Sequence, residues 1–102
     1  MYFIIPSDLK GIEILVYHYC CTQAYLQNKE GNEYELYASL RNAEKEIGIN
    51  KTSISRALKK LINKDYIELI EKGKSTKAPS KYLLKFTKKI EEEGLELSLI
   101  HI

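Results

Sequence analysis

The chain has 102 residues, 44% of them hydrophobic and 29% charged, a composition that predicts one globular domain with one core and excludes a disordered chain. No apolar run approaches the roughly 20 residues that span a bilayer, and "YFIIP" at the start is too short for a signal-peptide core and has no charged leader, so no membrane partner is expected. The net charge is only +2, yet residues 51–89 hold twelve Lys or Arg against Asp65, Glu68 and Glu71, a local excess of +9 that leaves −7 for the remainder.

A basic half joined to an acidic half predicts a surface for a polyanion. The two cysteines, Cys20 and Cys21, are adjacent and make no disulfide framework. A reducing cytoplasm is therefore the expected location.

In chain order, residues 2–6 read as an extended segment closed by Pro6. Ser7 or Asp8 is placed to cap a helix beginning about Leu9. That helix carries one apolar stripe of Ile12, Leu15, Val16, Tyr19 and Cys20, and a second of Ile14, Tyr17 and Cys21. A helix apolar on nearly every face is either central to its domain or meets a second partner. Residues 28–33, "NKEGNE", have turn chemistry, and "YELYA" alternates enough for a short strand. Ser39 opens a second helix with Leu40, Ala43 and Ile47 at helical spacing. Gly48 suits the left-handed position where a helix stops, and Asn50 can cap a third helix by accepting first-turn N–H groups. Two helices joined by so short a glycine-containing turn form the helix-turn-helix pattern.

The third helix is the best-patterned segment. Ile54, Ala57, Leu58, Leu61 and Ile62 make one apolar stripe, and at about 100° per residue the other side carries Thr52, Arg56, Lys59, Lys60 and Asn63. "YIELIE" (66–71) and "KYLLKF" (81–86) read as strands around "KGKSTKAPS", a long basic hairpin tip. The predicted fold is mainly α with a small β-hairpin, a winged helix-turn-helix over residues 1–90, followed by a tail over 91–102.

These residues resemble a known family. "GINKTSISRALKKLINKDYIELIEKGKSTKAPSKYLLKF" is similar to the winged helix-turn-helix of phage replisome-organiser and plasmid replication-initiator proteins, including DnaD-like amino-terminal domains. "FIIPSDL", "LVYHYC" and "YELYASLRNAEKEIG" extend the likeness over about residues 3–88. The resemblance implies origin recognition in plasmid or phage replication. Family members mostly carry a further carboxy-terminal region for oligomers or replication partners such as helicase loaders, which is missing here. "LSLIHI", 97–102, reads as one frame of a transposon-end sequencing adapter, so the gene is expected to run on past Glu96; the other reading is a short amphipathic strand.

Double-stranded DNA is the expected partner, through a helix that fits the major groove. Lys51, Thr52 and Ser53 sit in the first turn, where a helix favours phosphate or presents side chains to base edges. Arg56 has the reach and donor geometry for a guanine, and Ser55 suits either a base or a phosphate. Lys59 and Lys60 point to the backbone where the helix leaves the groove. Lys72, Lys74, Lys77 and Lys81 flank a tip suited to phosphates or the neighbouring minor groove. The helix also lacks compensating acids at i+4 until its end.

A transcriptional repressor with the same fold and a protein-interaction module with an acidic partner are the alternatives. His18, Cys20 and Cys21 do not have zinc-site spacing, because adjacent cysteines on a helix diverge by about 100°; no metal or other cofactor is expected, and the cysteines read as buried thiols. "KEGNE" and "EKGKST" lack the phosphate-loop spacing, and no nucleophile–base pair stands out, so no catalysis is expected. Tyr17, Tyr19, Tyr25, Tyr34 and Tyr37 cluster about the first helix and the loop after it, as core and rim packing or as a homodimer face.

Overall fold

The computed structural model describes residues 5–28, 34–75 and 77–93. Helix α1 spans Ile12–Gln27, strand β1 Glu35–Ala38, α2 Leu40–Ile47, α3 Lys51–Asn63, β2 Glu68–Glu71, β3 Ser80–Leu83 and α4 Lys85–Glu93. Among the described residues these make four helices and a small antiparallel sheet. The expected hairpin of β2 and β3 is present, and β1 joins it as a third strand in the order β1-β3-β2. Leu36 pairs with Tyr82, and Tyr82 in turn with Leu69. Ile70 is the extra residue of a bulge, because Leu69 faces Tyr82 while Glu71 already faces Lys81. Residues 2–4 of the extended segment expected at 2–6, most of the 28–33 turn and the tail from 94 onward lie outside the described residues.

The core forms where α1 packs on α3 and β1, with α2 against α3. Val16, Tyr17, Cys20, Cys21, Leu36, Ile54, Leu61, Ile67 and Leu84 are fully buried. On α1 the buried set takes Val16, Tyr17, Tyr19, Cys20 and Cys21 from both predicted stripes and adds Ala24. Ile12, Leu15, Tyr25 and Leu26 are left exposed. Both thiols are buried, as the sequence predicts, and desolvation pushes the Cys20 pKa up, which leaves it an unreactive core group.

Two boundaries differ from the sequence expectation by more than two residues. The first helix begins at Ile12, not about Leu9, behind Gly11 at φ 54°, a positive-φ conformation that glycine adopts without a Cβ clash. Leu9 is buried in a turn whose N–H bonds to the Pro6 carbonyl. Asp8 is drawn off by tertiary partners, accepting from the Tyr66 hydroxyl at 2.7 Å, so it makes no cap. The second difference is at the other end. The strand expected to run to Phe86 stops at Leu83, and Lys85 and Phe86 open α4.

Helix α4 belongs to the core. The Phe86 N–H donates to the Tyr66 carbonyl at 3.1 Å, and the two rings meet edge-on with centroids 5.2 Å apart. Tyr17 and Thr87, both fully buried, share a hydroxyl–hydroxyl bond of 2.8 Å that ties α1 to α4. Thr87→Val keeps the shape and leaves the Tyr17 hydroxyl, among the described residues, with the weak Cys21 thiol beside it. We expect a loss of about 1–3 kcal/mol in urea titration. The double variant Tyr17→Phe/Thr87→Val should recover most of that loss, because both partners then become apolar.

Candidate nucleic-acid interface

Helix α3 is set at a defined angle by local chemistry at both ends. Ser39 caps α2, its hydroxyl accepting from the Asn42 N–H at 3.2 Å. α2 stops at Gly48, whose φ of 80° is left-handed. Asn50 then caps α3, its Oδ1 accepting from the Ser53 N–H at 2.9 Å. Glu44 of α2 takes the Lys51 N–H at 3.0 Å. Two of the first-turn donors are thus already satisfied, so this turn offers side chains to a ligand more than bare N–H groups. At the far end the Tyr66 N–H bonds to the Leu61 carbonyl and the Asp65 N–H to that of Ile62. This is a Schellman stop with Asp65 at φ 64° in the position glycine usually fills.

Ile54, Ala57, Leu58 and Leu61 are buried, and Lys51, Thr52, Arg56, Lys59 and Lys60 are exposed on the other side of the helix; Ser53 and Ser55 are half-buried. The predicted residues divide between two concavities that flank α3. On one side Ser55 and Lys59 join Lys72, Lys74 and Ser75 around a groove of about 420 Å³ floored by Leu58, Ile62 and Tyr82. On the other, Ser53, Arg56 and Lys60 meet Lys10, Ile12 and Glu13 around a groove of about 310 Å³.

The β2–β3 loop is held close to the first groove by its own backbone. The Gly73 N–H donates to the Ser80 hydroxyl at 2.8 Å. A Cβ at Gly73 would lie 2.5 Å from the Ala78 carbonyl oxygen, so only glycine lets the two sides of the loop approach. Lys72, Lys74 and Lys77 are exposed. Lys81 is not brought to this surface. It lies on the other side of β3 from buried Tyr82, with its ammonium 3.6 Å from Glu35 and 5.7 Å from the centre of the Tyr37 ring.

Among the described residues no ion pair holds Lys51, Arg56, Lys59, Lys72, Lys74 or Lys77. Lys60 differs. The acids missing from the helix sequence are supplied by α1 and the turn before it: Glu13 lies 3.7 Å from Lys60 and 3.3 Å from Lys64, and Asp8 lies 3.4 Å from Lys64. Glu13 and Lys10 are the surface residues that the sequence did not single out. Nothing in linear spacing joins Glu13 to Lys64, which is 51 residues away. No three of His, Cys, Asp or Glu gather among the described residues in a way that could hold a metal ion. No described helix is long and apolar enough to cross a membrane.

The Asp8–Glu13–Lys64 cluster makes stability depend on pH. The Tyr66 hydroxyl, and after it the Lys64 ammonium, hold the Asp8 carboxyl below its ordinary value against some loss of hydration. Loss of hydration works to raise Glu13, but the hydrogen bond and charge of Lys64 and the charge of Lys60 outweigh it, and the net shift is downward. Both groups therefore bind protons more weakly folded than unfolded. Their contribution is complete above the unfolded carboxylate range of roughly pH 4 and is lost as pH falls through the lower folded values. Urea titrations from about pH 6 down to about pH 3 should show stability falling, and falling less steeply in Asp8→Asn. An equal slope in the two proteins would remove Asp8 from this account.

Scans of the chain against protein-family models, curated proteins and solved structures gave no match. What this surface can bind follows from its own geometry and charge.

Proposed function

We propose that the protein is a winged helix-turn-helix that binds double-stranded DNA sequence-selectively. In this reading α2, the turn Gly48–Asn50 and α3 are the helix-turn-helix, and the β2–β3 loop is the wing. The observation that carries it is the solvent-facing side of α3. Lys51, Thr52, Arg56 and Lys59 stand there exposed, and no carboxylate among the described residues pairs with the three cations. A helix about 10–12 Å across enters a major groove about 12 Å wide.

Arg56 is then the base reader, donating two bonds to guanine O6 and N7. Lys51, Thr52 and Ser53 meet the first phosphates or base edges. Ser55 and Lys59 face the side of the wing, and with Lys72, Lys74 and Lys77 they follow one backbone. Its place on the outer face of the sheet, on the other side of β3 from Tyr82, leaves Lys81 out of the contact set.

The role we assign is origin recognition in plasmid or phage replication, on the strength of the resemblance over residues 3–88. Partner replication proteins would then act through sequence beyond the domain. Repression of transcription by a two-fold dimer is the second reading, and the exposure of Ile12, Leu15, Tyr25 and Leu26 along α1 favours it. Sedimentation at high concentration separates the two, a clean monomer removing the α1 dimer.

Selection of bound oligonucleotides from a random duplex pool tests the reading directly. A defined motif is expected, and recovery of no enriched sequence together with no shift of any duplex would overturn it. On the selected site Arg56→Ala should lose discrimination of about 1–3 kcal/mol. Lys74→Ala should instead weaken selected and random duplexes alike and lower the salt slope by roughly one unit. Equal effects of Arg56→Ala on both duplexes would remove its base-reading role.

A further inference from the structure

Among the described residues, Glu13 is the only carboxylate lining the groove that also contains Ser53, Arg56 and Lys60. Its side chain is only 14% exposed and bridges two cations, Lys60 at 3.7 Å and Lys64 at 3.3 Å. The two are held differently. Lys64 is shared with Asp8 at 3.4 Å and is 35% exposed, whereas Lys60 has the one longer contact and is 66% exposed. Lys64 is thus a fixed member of the α1–α3 clamp, and Lys60 is a cation on a loose tether.

A phosphate approaching this flank of α3 meets Lys10, Arg56 and Lys60, and with them a fixed negative charge that repels it and competes for Lys60. Resting on the DNA-binding reading, we infer that Glu13 is an affinity-setting residue, which withholds Lys60 from the DNA backbone and so restrains sequence-independent binding without touching the base-reading side chain. Phosphate contacts supply most non-specific affinity. A carboxylate that removes one of them lowers the background against which Arg56 discriminates. Among the described residues no carboxylate lines the opposite groove, where Ser55 and Lys59 face the basic loop, so the restraint acts on one flank of the helix.

The test is fluorescence anisotropy of a random-sequence duplex titrated at several salt concentrations. Wild type is compared with Glu13→Gln, Glu35→Gln and Glu13→Gln/Lys60→Gln. Glu35 is the control, because its loss adds the same unit of charge on the outer face of the sheet, where it pairs with Lys81. Glu13→Gln should bind several-fold tighter at low salt and steepen the slope of log K against log salt by about 0.9, the value of one added phosphate contact. Glu35→Gln should leave the slope unchanged, and Lys60→Gln should cancel the gain in the double variant.

The inference is overturned if the two single Gln variants shift alike, if Glu13→Gln leaves the slope where it was, or if the gain survives loss of Lys60. Should Glu13→Gln fold poorly, Glu13→Asp retains the charge on a side chain one methylene shorter; a shift in the same direction supports the inference and no shift overturns it. Absence of wild-type binding even at low salt is a different result, which removes the DNA reading and this inference together.

Discussion

The rotation of α3 about its own axis is the constraint on which the rest of the surface depends. Ile54 and Leu61 are fully buried and Leu58 nearly so, and each such side chain contributes about 1.5–3 kcal/mol relative to exposure. Rolling the helix by one residue, about 100°, would bring some of these into water and turn Arg56 or Lys59 toward the core. An unpaired buried cation costs several kcal/mol. The margin is large enough to leave one orientation. The cations face outward because the aliphatic chains cannot.

The sheet performs a second positioning task, and its edges show how. At the β1 edge the side chain of Gln27 acts as a short piece of strand, its amide donating to the Tyr37 carbonyl at 2.8 Å and its oxygen accepting from the Tyr37 N–H at 2.7 Å. Asn28 bonds to the Glu35 carbonyl beside it. The end of α1 therefore closes an edge that would otherwise offer unpaired groups to another chain. β2, the other edge, buries none of its four residues and carries the bulge at Ile70. Its place is decided by backbone pairing to β3, and through β3 by the Tyr82 ring packed into the core. The basic loop beside α3 is thus set by a central strand, with Gly73 and Ser80 closing its base.

Helix α1 connects these parts. It supplies Tyr17 to the buried hydroxyl pair with α4, two buried thiols to the centre, and at its start the carboxylate of Glu13 that meets Lys60 and Lys64. One helix thereby couples the core to the charge balance of the outer surface. That same helix leaves four large apolar side chains in water, which distinguishes it from α3, where the apolar side is almost fully consumed.

Much of this arrangement is legible in the sequence, and the legible parts share a physical cause. The Ser39 and Asn50 caps, the stop at Gly48, the apolar stripe of α3 and the strands near 35–38 and 68–71 are decided by groups within about one helical turn or one alternation of the chain. What the sequence did not determine depends on residues distant along it. Asp8 is an available cap until Tyr66, 58 residues later, takes its carboxylate. "KYLLKF" continues as a strand until the sheet ends at Leu83 and Phe86 turns to meet Tyr66. α3 looks free of compensating charge until α1 lays Glu13 beside Lys60. Caps and periodicities act over short contour lengths and survive in the linear pattern. Pairings across the fold exist only once burial has chosen which faces meet, and that choice belongs to the tertiary structure.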